Sequence, residues 1–333
     1  MKINNNWILI FILAGLTTAI MYKVVDVYNK PHIALPKNEH TSWTAPSLYL
    51  DQTLEGEERR LVIYGEELIA NTSKYLGPNG SVAHVTNGMN CQNCHLNAGK
   101  KTWGNNYGAV ASTYPKFRDR SGSIESIYKR VSDCMERSLN GSALDSNTKE
   151  MQAMIAYIKW VGHEVQKDSV PKGSGIKPPE YLDRAANPSN GKIIYLNKCQ
   201  SCHGANGEGL MAADGSSYTY PPLWGKNSYN IGAGLYRLSR LAGYVRDNMP
   251  FNQSTHENPS LSDEECWDVA AFVNSQPRPT KDLSSDWPNV SKKPVDHPFG
   301  PYTDGFNETQ HKFGPFKPIL EARKKQSNKS KSS

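Results

Sequence analysis

The chain is short of apolar residues. Only 37% of its 333 residues are hydrophobic, which is lean for two domains that must each fill a core unaided. Cysteine is sparse, six in all, and none precedes Cys91, which excludes a lipidated N-terminal cysteine. Charge of one sign is not dominant: the net charge is +6, part of it in a Ser- and Asn-rich tail with Arg323, Lys324, Lys325, Lys329 and Lys331. No basic pattern interleaved with aromatics is present, which argues against a nucleic-acid partner. The tail itself is expected to be disordered. An apolar run of full membrane length is missing too. Residues 7–22, preceded by Lys2 and followed by Lys23, are long for a signal core and short for a span. They read as an export signal, either cleaved or kept as an anchor.

What the chain does have is Cys-x-x-Cys-His twice: Cys91-Gln92-Asn93-Cys94-His95 and Cys199-Gln200-Ser201-Cys202-His203. Each reads as a site for haem c, with two thiols for thioether bonds and a His for the iron. A pair of redox disulfides or a four-cysteine zinc site would not require His after the second Cys in both copies. Two covalent haems also answer the apolar shortage, because a porphyrin is itself a large core element. Covalent haem together with an export signal suits a bacterial periplasm, with the inner membrane reached only through the N-terminal segment.

The plan around each motif repeats. A helical stretch at 57–75, the first motif and a helix at 148–165 are followed by a short helix at 190–197, the second motif and a helix at 262–276. Met151, Met154, Ile155, Ile158 and Val161 recur at helical spacing in one closing helix, as do Trp267, Ala270, Ala271 and Val273 in the other. Both stripes are core packing. Ser262 and Glu265 form a capping-box pattern at the start of the second. This is an all-α chain of two class I cytochrome c-like domains, each around one haem, with an irregular C-terminal extension. The boundaries read as a signal or anchor at 1–30, a first domain at 31–166, a Pro- and Gly-rich linker at 167–189, a second domain at 190–280, and a Pro-rich wrapping extension with its basic tail at 281–333.

His95 and His203 fill one axial position on each iron, and the second ligand separates a carrier from a catalyst. For the second haem the candidate is Met249, in a loop that Pro250 holds extended; Met211 is the rival, only a few residues from His203. No Met-Pro follows His95. If 123–139 is helical, Arg130, Cys134 and Ser138 recur every fourth residue and share a face. A cation there favours thiolate, which binds metal and attacks sulfur. Cys134 could equally be an inert buried thiol or the partner of Cys266, the other spare cysteine, although Cys266 on its apolar helix reads as core.

The stretch from Arg120 through Arg130-x-x-x-Cys134-x-Glu136-Arg137-Ser138-x-Asn140-Gly141, lying between the two haem motifs, resembles the dihaem thiosulfate dehydrogenases. The helix from Asp263 to Gln276 and the later Pro294-Val295-Asp296-His297-Pro298-Phe299-Gly300-Pro301 resemble that family as well. The resemblance implies His95 and Cys134 as ligands of a substrate-side haem, Arg120 and Arg130 as substrate arginines, and Ser138 beside them. It also implies coupling of two thiosulfates into tetrathionate, or the reverse, with two electrons passed to an external acceptor such as a small cytochrome c. Some relatives place Lys before the methionine ligand and exchange ligands; this chain has Asn248 there. Two other classes remain open on sequence: a dihaem electron carrier without substrate chemistry, and a dihaem peroxidase.

Overall fold

The computed structural model describes residues 43–331, except Asp214. The segment 7–22 lies outside them, and among the described residues no helix is long and apolar enough to cross a membrane. Seven described helices have eleven residues or more: α1 Gly56–Ala70, α2 Ile127–Arg137, α3 Lys149–Val161, α4 Pro188–Lys198, α5 Leu238–Asn248, α6 Asp263–Ser275 and α7 Lys317–Lys331. Among the described residues, strand is confined to two antiparallel pairs. These are β1 Lys116–Arg118 with β2 Ser123–Glu125, in a register that sets Phe117 opposite Ile124, and β3 Leu210–Met211 with β4 Tyr218–Tyr220.

Each half is built on one close helix crossing. In the first, α1 packs on α3, and Gly65 lies against the Ala153 carbonyl so tightly that an added Cβ would sit 2.0 Å from its oxygen. In the second, α4 packs on α6, and a Cβ at Gly191 would sit 1.9 Å from the Asp268 carbonyl oxygen. Only glycine lets two backbones approach so far. The closing helices start where capping chemistry says they should. Thr148 accepts from the Met151 amide, and Ser262 and Glu265 form a reciprocal capping box. Met151, Met154, Tyr157 and Ile158 fill the first core; Trp267, Ala270, Ala271 and Val273 fill the second.

Two expectations differ from the structure. The stretch 123–139 is not one helix, because residues 123–125 pair as β2 and the helix starts only after Ser126, whose side chain caps the Lys129 amide. The tail after Lys317 is helical rather than disordered. Phe316 and Ile319 enter the second core, and the Arg323 Nε donates to Asp304 Oδ2 at 2.7 Å. These buried partners order a segment that its polar composition alone would leave unfolded.

Candidate functional site

Cys94, His95, Arg130, Cys134 and Ser138 line one cavity of about 250 Å³. Arg130 and Cys134 are one turn apart on α2, so both side chains leave the same face. Ser138 follows as the residue that ends α2, its amide bonded to the Cys134 carbonyl at 2.8 Å. Cys134 is half-buried, and the Arg130 guanidinium is held above its ordinary pKa, chiefly by its charge interaction with Cys134. Cys266 is fully buried in the other core and forms no disulfide with Cys134.

Arg120 reaches the same cavity from the turn between β1 and β2, bonded to Asp133, and its own carbonyl accepts from the Trp287 amide at 2.7 Å. Burial, then the neighbouring Arg137, depresses its pKa. Arg120 pairs with Asp133 instead of Glu125 or Glu136, the partners its sequence neighbourhood suggests. The Arg130 side chain has no ion pair or hydrogen bond among the described residues. Four further arginines line the wall: Arg118, Arg137, Arg237 and Arg240. Of these, Arg137 is held by a two-pronged pair to Asp286, both contacts 2.7 Å. Sequence reasoning passed over these four. Nothing local in the sequence marks them, because it is the fold that brings residues of the first half, the second half and the extension to one cavity.

The second site is a cavity of about 450 Å³ lined by Cys199, Cys202, His203 and Met249, with Leu241 and Val269 among its apolar walls. Met249 stands at the end of α5; its rival Met211 is exposed on β3 and is not part of this wall. Cys94, Tyr229 and Leu235 line both cavities, so the two sites adjoin. The Tyr244 hydroxyl, from α5, donates to the Asn93 carbonyl at 3.0 Å inside the first motif.

The two histidines are prepared alike. His95 Nδ1 lies against the Asn105 carbonyl and His203 Nδ1 against the Pro221 carbonyl at 2.8 Å. A carbonyl oxygen only accepts, so Nδ1 carries the proton and Nε2 is left with its lone pair, without a hydrogen-bond partner among the described residues. This is the arrangement a metal-bound imidazole has. Burial pushes His95 down to about 4 and lowers His203 as well, keeping both neutral. The donor set therefore fits two haem groups: two thiols and one neutral imidazole in each motif, with a cavity beside each histidine.

The chain matches known proteins along this same division. Residues 81–166 match the family described as SoxA/TsdA, cytochrome c domain, and residues 188–277 match cytochrome c. Each matched part holds one Cys-x-x-Cys-His, and the protein is a c-type cytochrome with two covalently bound haem c groups. A thiosulfate dehydrogenase of Psychrobacter arcticus is 40% identical over 208 residues, which is 62% of this chain and 62% of that protein. One of Allochromatium vinosum is 39% identical over 59% of this chain and 72% of its own length. The solved thiosulfate dehydrogenase (TsdBA) of Marichromatium purpuratum superposes with a TM-score of 0.65 at 28% identity, over 77% of this chain and 52% of that one. The match thus spans somewhat under two thirds of the Psychrobacter protein and about half of the Marichromatium chain. By sequence and by fold, the chain belongs to the thiosulfate dehydrogenase family.

Proposed function

We propose that this protein oxidises thiosulfate, joining two molecules into tetrathionate and passing two electrons to an external carrier, and that the same steps in reverse reduce tetrathionate. One observation carries the reading: Cys134 and the unpaired Arg130 share a helix face in an arginine-lined cavity that also holds His95. His95 and Cys134 would hold the first haem iron, and His203 and Met249 the second. The haem pair supplies two one-electron acceptors, which matches the electron count of the reaction. The names of the relatives support thiosulfate as the substrate. The apolar segment 7–22 and the covalent haems support a folded part that lies outside the cytoplasm, in the periplasm.

Two thiosulfate dianions repel each other, so the site must supply fixed positive charge. Arginine does this with forked donors that suit a tetrahedral sulfonate. Arg130 offers a guanidinium beside the sulfur that no salt bridge engages among the described residues. Arg120, oriented by Asp133, directs its remaining donors to the cavity, and Ser138 adds a hydroxyl one turn beyond the thiol. The Cys134 thiolate and the outer sulfur of the first thiosulfate form an S–S bond, which releases two electrons. The outer sulfur of the second thiosulfate then attacks that bond, forming tetrathionate and returning Cys134 as thiolate. No net proton moves: two thiosulfates give one tetrathionate and two electrons.

The test is a spectrum of the oxidised holoprotein on adding thiosulfate. Reduction of the haem bands with appearance of tetrathionate is expected. A protein reduced by dithionite but untouched by thiosulfate and tetrathionate would instead be a dihaem electron carrier, and one that turned over peroxide would be a peroxidase.

A further inference from the structure

Tetrathionate carries a sulfonate at each end of its sulfur chain, and both ends must be held when the second thiosulfate reaches Cys134. Arg120, Arg130 and Ser138, all from the first half, account for one end. The cavity wall also includes Arg237 and Arg240 of the second half, three residues apart at the start of α5 and therefore on one face. The two are in different states. Arg237 is spent on Asp296, with Nε donating to Oδ1 at 2.9 Å, while the other oxygen of that buried carboxylate accepts the Ser239 amide at 3.0 Å. Among the described residues the Arg240 side chain makes one hydrogen bond, from Nη1 to the Ile176 carbonyl at 3.0 Å, and has no carboxylate within salt-bridge distance. The extension thus fixes the first turn of α5 through Asp296, and that turn presents Arg240 to the cavity with no salt bridge of its own among the described residues.

We propose that Arg240 binds the sulfonate of the second thiosulfate, and so the far end of tetrathionate, making the substrate site a joint product of the two halves. This rests on the function proposed above and adds to it a division of labour: the first half holds the molecule that bonds to Cys134, and the second half holds the molecule that attacks. The linker takes part as well, because the Ile176 carbonyl steers the guanidinium. Arg237 is a positioning residue here.

The division predicts a split between half-reactions, read on the holoprotein with Arg240→Gln and Arg240→Lys. In the first measurement, oxidised protein meets one equivalent of thiosulfate, is quenched in acid, and the adduct on Cys134 is quantified by mass spectrometry. In the second, tetrathionate formation is followed against thiosulfate concentration. R240Q should form the adduct as the wild type does, within about twofold, while its half-saturating thiosulfate concentration rises roughly tenfold or more, as losing a charge-assisted contact implies. Should R240Q fail to keep its haem, R240K decides. Charge kept but the fork lost should raise that concentration about threefold. Half-saturation at the wild-type concentration, or equal loss of adduct and turnover, overturns the assignment. A wild-type protein that forms neither adduct nor tetrathionate overturns the functional reading instead, and the role of Arg240 falls with it.

Discussion

Gly65 and Gly191 occupy matching places, each where the opening helix of its half meets the closing one, and His95 and His203 are oriented by the same device, a backbone carbonyl at Nδ1. What surrounds those histidines does not match. Beside His95 stand Cys134 and six arginines; beside His203 stand Met249, Leu241, Val245, Leu261, Val269 and Val273. One scaffold serves both halves, and the lining of the cavity separates them: an arginine-rich wall suited to anions in one, an apolar, methionine-bearing interior in the other.

The most direct way to break that contrast is to remove the sulfur from each side in turn. Cys134→Ala should lower tetrathionate formation at least about a thousandfold, since it deletes the atom on which the S–S bond forms. Met249→Ala should change the spectrum of one haem and slow steady-state turnover, by far less than the loss of Cys134. If Cys134→Ala oxidises thiosulfate at the wild-type rate, the two halves do not differ in the way the cavities imply.

The shared scaffold can be tested just as symmetrically. Valine at Gly65 or at Gly191 would drive its side chain into the Ala153 or Asp268 carbonyl, and either change should cost about 3 kcal/mol. The expected observation is a comparable drop in melting temperature for both variants by circular dichroism. A large loss at one glycine with none at the other would show that the two crossings are not equivalent.

Much of this architecture is legible in the residues. The haem motifs, the closing helices and the capping box at Ser262 are local patterns, and local patterns survive folding because neighbours in sequence create them. The family, too, was visible in the short run around Cys134. The arginine wall was not. Arg120, Arg137, Arg237 and Arg240 look alike in sequence, and which of them is neutralised depends on Asp133, Asp286 and Asp296, brought up by folding. The helical end of the chain was hidden for the same reason. Its polar composition says nothing of Asp304, or of the apolar socket that takes Ile319. The β1–β2 pair was missed because three-residue strands are too short to show an alternation.

The smallest effect separates the halves by pH. Burial pushes the Asp296 carboxyl up, but the Arg237 charge and the hydrogen bonds from Ser239 outweigh it, so its pKa is held below the ordinary value of 3.8. A carboxylate with a lowered folded pKa gives stability that is complete above the unfolded value and lost as pH falls through the folded one. Between pH 7 and about pH 5 the ion pair is therefore constant, and the loss comes only in more acid solution. Asp296→Asn removes this titration but keeps a hydrogen-bonding side chain of the same shape. It should destabilise the protein by roughly 2 kcal/mol at pH 7 and flatten the fall in melting temperature toward pH 3. Because Asp296 orders the turn that bears Arg240, the variant should also raise half-saturating thiosulfate, by less than the loss of Arg240 itself. Adduct formation on Cys134, which depends on first-half residues, should not change. A D296N protein that lost the adduct step along with thiosulfate saturation would mean that the extension supports both halves of the site equally, and the division between them would fail.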